Sequence, residues 1–307
     1  MIILKIFILI IIILLALLIV ASLYFYDVSI KVGKKAFIDD EEDDEDPFVL
    51  DNRWLMAKDL EEVSINSHDG LKLCGYYLKS KEPSNKVAIL VHGYTSEGRK
   101  NGGFARLYYQ KLGYSILTPD DRGHGQSEGK YIGFGWHDRL DYLRWINYII
   151  ERNGRETQIV LHGLSMGGGI VLMVSGEKLP SNLKCIISDC AYTSMKEELS
   201  YQIKRMYRLP RLPLIQLTSI ICRLRAGYYI GDASALKQVK KASVPILFIH
   251  GDADTFVPTK MVYELYEACM SEKKLLIIPK AGHAAAYYVE KEIYEKEVMN
   301  FVNKYVI

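Results

Sequence analysis

With 307 residues, 49% of them hydrophobic, the chain is long enough for one large core plus an appendage. Its 39 Lys and Arg balance 37 Asp and Glu, which excludes the basic footprint of a nucleic-acid binder and favours a small-molecule or peptide partner. Cys74, Cys185, Cys190, Cys222 and Cys269 stand at irregular spacings with no Cys-x-x-Cys pair, so neither a disulfide framework nor a zinc site is expected.

The first element is a run in which only Lys5 and Ser22 interrupt the apolar residues between Met1 and Tyr26. A bilayer span needs about 20 such residues, whereas the apolar part of a cleavable signal is about 7 to 15 long. An uncleaved membrane helix over residues 1–27 is therefore expected, in preference to a signal peptide or a core helix. Lys5 precedes the span and Lys31, Lys34 and Lys35 follow it. Counting Lys alone puts the following domain in the cytoplasm, but a short tail with one Lys also begins many exported signal-anchor proteins, so both faces stay open. Residues 28–62 read as tether and linker, because Asp39 to Asp46 are eight consecutive acidic residues that repel one another and bury nothing.

From Val63 to the end, residues 63–307, the pattern becomes that of one α/β domain. Val63 to Ser67 and Leu71 to Leu78 flank Asp69-Gly70 as an antiparallel hairpin. Short apolar runs follow at Val87 to Val91, Ser115 to Thr118, Gln158 to Leu161, Leu183 to Ser188, Ile246 to Ile249 and Leu275 to Ile278. Helical patterns such as Phe134 to Arg152 and Ile170 to Lys178 lie between them, which predicts a largely parallel, doubly wound sheet. The stretch 192–232 breaks this alternation and reads as an inserted helical cap.

Two segments match Gly-x-Ser-x-Gly. Gly163-Leu164-Ser165-Met166-Gly167 joins a buried strand to the small-residue start of a helix, the sharp turn that exposes a nucleophilic hydroxyl. Gly125-Gln126-Ser127-Glu128-Gly129 sits in a polar loop, and the adjacent Glu128 carboxylate would oppose an oxyanion, so Ser127 is read as structural. A serine hydroxyl is a weak nucleophile unless a base takes its proton and a third group orients that base. His283, in the loop after the last strand run, is the expected base. His92, His162 and His250 precede glycines at strand ends, where hydrogen-bonded structural roles are expected, and His68, His124 and His137 lie in turns or loops. For the acid, Asp252 and Asp254 both follow the Ile246 to Ile249 run and Asp189 ends another strand; Asp254 is favoured, since the strand's end turns Asp252 into the loop. The backbone N–H groups of Met166, next to Ser165, and Tyr94, in the loop after Val91, are placed to bind an oxyanion.

Together these segments resemble the α/β-hydrolase superfamily over roughly Val63 to Val306, especially its monoacylglycerol lipase, esterase and prolyl-oligopeptidase-like branches. The marks are His92-Gly93-Tyr94, Asp121-Arg122-Gly123-His124-Gly125-Gln126-Ser127, Gly163 to Gly168, Gly251-Asp252-Ala253-Asp254 with Val257-Pro258, and Gly282-His283. The resemblance implies an eight-stranded, mostly parallel sheet flanked by helices with a small cap, the triad Ser165, Asp254 and His283, and an oxyanion hole at Tyr94 and Met166. The leading expectation is hydrolysis of carboxylic esters through an acyl-enzyme without a metal or organic cofactor, with Arg205, Arg208, Arg211 and the cap's apolar residues shaping the acyl or leaving-group site. A peptidase acting on short peptides is the alternative, and a membrane-tethered binding protein that has lost activity is a more remote one.

Overall fold

The computed structural model describes residues 1–33, 35 and 44–307. Most of the acidic run, Asp39 to Asp43, lies outside the described residues. Eight strands form a single sheet in the order β1-β2-β4-β3-β5-β6-β7-β8. They are β1 (Glu61–Asn66), β2 (Lys72–Leu78), β3 (Lys86–Val91), β4 (Ser115–Pro119), β5 (Gln158–Leu164), β6 (Leu183–Asp189), β7 (Ile246–Gly251) and β8 (Lys273–Ile278). β2 runs antiparallel to β1 and β4, and every other pairing is parallel, as the resemblance implies. All the expected strands are present.

Eleven α-helices complete the described chain: α1 (Ile2–Ser29), α2 (Pro47–Met56), α3 (Gly102–Arg106), α4 (Asp138–Asn153), α5 (Met166–Val174), α6 (Met195–Gln202), α7 (Leu214–Ala226), α8 (Ala235–Val239), α9 (Lys260–Ala268), α10 (Ala286–Val289) and α11 (Lys291–Tyr305). Because the side-chain period of a strand is two, the central strands feed both faces of the sheet. Val87, Ile89 and Val91 of β3 join Tyr142, Ile146, Ile170 and Leu265 from α4, α5 and α9. Ala88 and Leu90 face the other way, toward Leu55, Phe104, Tyr294 and Val298 from α2, α3 and α11. α4 starts at Asp138 rather than at Phe134, because Phe134 (φ 49°) and Gly135 (φ 92°) take left-handed backbone and Asp138 Oδ2 accepts the Gly135 N–H at 2.8 Å. The interruption at 192–232 holds α6, a π-helical turn over Ile203–Tyr207, and α7.

The segment before Val63 packs differently from the anchor and linker expected of it. α2 lies within the stretch read as linker, yet Val49 and Leu55 are buried, the latter completely. Asp46 caps this helix by accepting the Phe48 N–H at 2.8 Å, and Pro47 occupies its first position, where no backbone donor is lost. α1 is long and apolar enough to cross a membrane. Its 28 residues span about 42 Å, more than the roughly 30 Å of a hydrocarbon core. The excess is packed on the body: Phe25, Tyr26 and Ile30 are buried, while the large apolar side chains from Ile2 to Leu17 are exposed. Beyond the helix, Lys31 bridges to Tyr131 and Ile30 O accepts the Ile132 N–H at 2.7 Å.

Candidate active site

Ser165 sits where β5 turns straight into α5, in the strained conformation φ 55°, ψ −113°. Side chains avoid this region at a cost of about 1–3 kcal/mol unless their surroundings impose it. The imposition is visible in the flanking glycines. A Cβ on Gly163 would lie 2.2 Å from Gly167 O, and one on Gly167 would lie 2.2 Å from Val91 O. Only hydrogens fit there, so the turn closes against the end of β3 and lifts the hydroxyl into the open. Ser165 N–H is tied down by donation to Asp189 O at 2.9 Å.

His283 Nε2 lies 2.8 Å from Ser165 Oγ, and His283 Nδ1 lies 2.7 Å from Asp254 Oδ2. The three side chains thus form a continuous line across loops 118 residues apart in sequence at their first contact. Asp254 is fixed by its other oxygen, Oδ1, which accepts the N–H groups of Phe256 and Val257 at 2.8 Å each. Burial alone would raise its pKa, but hydrogen bonds from His250 and His283 outweigh this and hold the carboxyl well below the usual carboxylate range. The carboxylate is therefore charged and aimed at the ring nitrogen that must carry a proton when Nε2 accepts one. The Phe256 ring packs on the His283 imidazole at 4.9 Å between centroids.

The other acids weighed from sequence lie elsewhere. Asp252 is exposed and accepts the Lys280 N–H at 2.6 Å, which closes the turn after β8. Asp189 is buried beneath the Ser165 turn, and its Oδ2 accepts from Tyr294 Oη at 2.9 Å. Burial pushes its pKa up to about 6. Ser127 accepts the Cys74 N–H at 2.8 Å and donates to Asp120 O at 2.7 Å, a tie between loop and strand. Arg122 in the same loop is fully buried and bonds Asp141 through Nε (2.7 Å) and Nη2 (2.8 Å), so this motif is scaffold. Two of the histidines at strand ends are satisfied internally: His92 by the Asp121 N–H and Gly93 O, His162 by Tyr108 and Tyr294.

Met166 begins α5, so its N–H belongs to the unsatisfied, positively polarised end of that helix. Gly93 brings the loop after β3 alongside, since a Cβ there would stand 3.6 Å from Ser165 Cβ. Tyr94 follows it, and its hydroxyl reaches away to donate to Ser29 O at the foot of α1, 2.8 Å distant. Tyr94 and Met166 line the same cleft as Ser165.

Two clefts meet at Ser165. One is mostly apolar, with Phe134, Leu199, Ile203, Met206 and Phe256 around it. The other is more polar and is bordered by Asp46, Ser96, Lys100, Asn101, His283 and Tyr288. Arg205, Arg208 and Arg211, expected to shape the site, are exposed and line neither cleft. In their place is Glu198 of α6, 5% exposed, which sequence reasoning missed. Its Oε1 accepts the Gln202 Nε2–H at 2.7 Å, and burial pushes its pKa up to about 7. Glu197 and Glu198 stand side by side in the first turn of this cap helix, and nothing in the sequence separates the buried one from a solvated one. His250 was read as structural, and it donates to Val257 O at 2.9 Å, but its Nε2 also stands 3.2 Å from Asp254 Oδ2.

Comparison with known proteins bears on the fold that carries these residues. The family profile of the α/β hydrolase fold matches residues 87–215. An uncharacterized protein of Bacillus subtilis, YqkD, is 30% identical over 239 residues, covering 78% of both chains. The chain belongs to the α/β-hydrolase family. The Pyrococcus furiosus esterase Pf2001 superposes on this α/β-hydrolase with a TM-score of 0.67 at 24% identity, over 83% of this chain and 96% of that one. The zebrafish (Danio rerio) lysophosphatidylserine lipase ABHD12 is 29% identical over 210 residues, 65% of this chain and 51% of its own. The hydrolase class is thus established for the domain, and the foot of α1 adjoins its site.

Proposed function

We propose that the protein is a serine hydrolase that cleaves carboxylic esters through an acyl-enzyme and that α1 anchors it in a membrane. The observation that carries the reading is the hydrogen-bonded line from Ser165 through His283 to Asp254, with the serine held on a strained turn. Ser165 Oγ attacks the ester carbonyl while His283 Nε2 takes its proton, and Asp254 stabilises the imidazolium that results. The carbonyl oxygen becomes an oxyanion that the N–H groups of Met166 and Tyr94 receive. Collapse of this intermediate expels the alcohol, to which His283 returns the proton. Water then repeats the sequence on the acyl-enzyme and releases the acid. The apolar cleft holds the acyl group, and the more polar one the departing alcohol.

Cleavage of short peptides is the second reading, and Glu198 is the observation in its favour. Among the described residues lining the apolar cleft it is the only charged type, and a carboxylate there would pair with a peptide's amino terminus. Gln202 already occupies one of its oxygens, and burial favours the neutral acid. Side-by-side turnover of butanoyl aryl esters and aminoacyl aryl amides separates the two. Esters are expected to give a kcat/KM higher by at least about 10². A preference for the amides would assign the protein to the peptidases.

A further inference from the structure

The apolar cleft has a wall from an unexpected source. Phe25, Val28 and Ser29, the last turns of α1, line it together with the cap and Ser165 itself. The contact is extensive and specific. The Phe25 ring meets Tyr207 of the cap edge-on at 4.9 Å, and Phe25, Ile203, Leu214 and Ile215 form a small core of their own, against which Leu18 and Ala21 pack. Ser29 O accepts the Tyr94 hydroxyl, and Asp27 pairs with Arg225 of α7 at 3.2 Å. The helix thus continues from its exposed apolar length into the substrate site without a break.

That continuity sets a distance. Burial of α1 begins at Ser22, and exposed apolar side chains reach Val20. At about 1.5 Å per residue, Val28 lies only about 12 Å further along the axis. A helix whose apolar length is embedded in a bilayer therefore carries the cleft at the level of the lipid headgroups. The neighbouring part of the cap suits that position. Met206, Leu209 and Leu212 are exposed apolar residues, and Arg208 and Arg211 are exposed bases between them, the mixture that sits at a bilayer surface.

We propose that the foot of the membrane helix is part of the acyl-binding site, and that the substrate is a long-chain acyl ester drawn from the bilayer that holds α1. This rests on the ester-hydrolase reading above. An acyl chain entering along Phe25 and Val28 passes from lipid to cleft without crossing water, so each added methylene is transferred between two apolar surroundings. Selectivity for chain length then depends on α1.

The test uses the full-length protein in phosphatidylcholine vesicles, with p-nitrophenyl butanoate and dodecanoate as substrates and a fluorophosphonate probe on the same preparations. The quantity read is the ratio of kcat/KM for dodecanoate to that for butanoate. Val28→Trp, which fills the cleft from the α1 side, is expected to lower this ratio at least about tenfold, and Phe25→Ala, which widens it, to move the preferred chain length upward. If either variant folds poorly and loses the label, the other decides. An unchanged ratio in variants that still label overturns the role of α1 and leaves the hydrolase reading standing. Failure of the wild type both to label and to turn over either ester overturns the hydrolase reading itself.

Discussion

Asp254→Asn lowers kcat for ester hydrolysis about 10⁴-fold, the effect expected when the group orienting a catalytic imidazole is replaced by its amide. Asparagine keeps an oxygen for the Phe256 and Val257 N–H groups, both 2.8 Å from Oδ1, so the loop retains its shape. What changes is the atom facing His283 Nδ1, 2.7 Å away. An amide NH₂ there is a donor, which selects the tautomer with its proton on Nε2, toward Ser165, where it cannot accept another. Asp252→Asn is the control. Its oxygen accepts only a turn N–H, from Lys280, and asparagine can do the same. Stability should follow with a definite sign. The folded pKa of Asp254 is depressed, so its charged form stabilises the protein above the ordinary carboxylate range, and that contribution is lost as pH falls. The melting temperature of Asp254→Asn should therefore lie below that of wild type at pH 7, with the gap closing in acid. Comparable losses from the two asparagine variants would place the orienting acid elsewhere.

Gly167→Ala is expected to damage the site through the backbone alone. The new methyl would stand 2.2 Å from Val91 O and 2.7 Å from His92 O, neither of which is a flexible side-chain end. Overpacking of this kind costs about 1–3 kcal/mol, and here the strand that must retreat is the one leading to Tyr94. A displacement of about 1 Å between reacting groups is enough to cost about 10² in rate. Thermal melting and ester turnover should both fall. Gly231→Ala, where nothing lies within 4 Å of the added carbon, should leave both near wild type. Wild-type turnover in Gly167→Ala would mean that the close approach of the Ser165 turn to β3 is dispensable.

The parts of this molecule that were legible in its sequence are those with a local cause. Buried strands announce themselves as short apolar runs, and β3 to β8 were found within one to three residues of their ends. Ser165 was separable from Ser127 because a strand precedes the first and a polar loop surrounds the second. His283 and Asp254 could be placed by chain order, although only coordinates show that Asp252 turns to Lys280 N. What stayed hidden depends on contacts between distant segments. Phe25 and Tyr26 read as the tail of an apolar helix and Ile30 as the start of a tether, since nothing in such a run marks which of its side chains pack on the domain. α2 was concealed by its acidic neighbours, and Glu198 by the ordinary look of an amphipathic cap helix. The arginines of the cap misled for a related reason: a basic residue in an inserted segment can line a cleft or stand outside it, and Arg205, Arg208 and Arg211 line neither cleft.

Reaction of the full-length protein with a fluorophosphonate probe, followed by peptide mapping, tests the assignment of the nucleophile most directly. The account predicts stoichiometric labelling of the wild type on the peptide containing Ser165, equal labelling of Ser127→Ala, and none of Ser165→Ala. An unlabelled wild type, or a Ser165→Ala variant labelled as strongly as wild type, would contradict it.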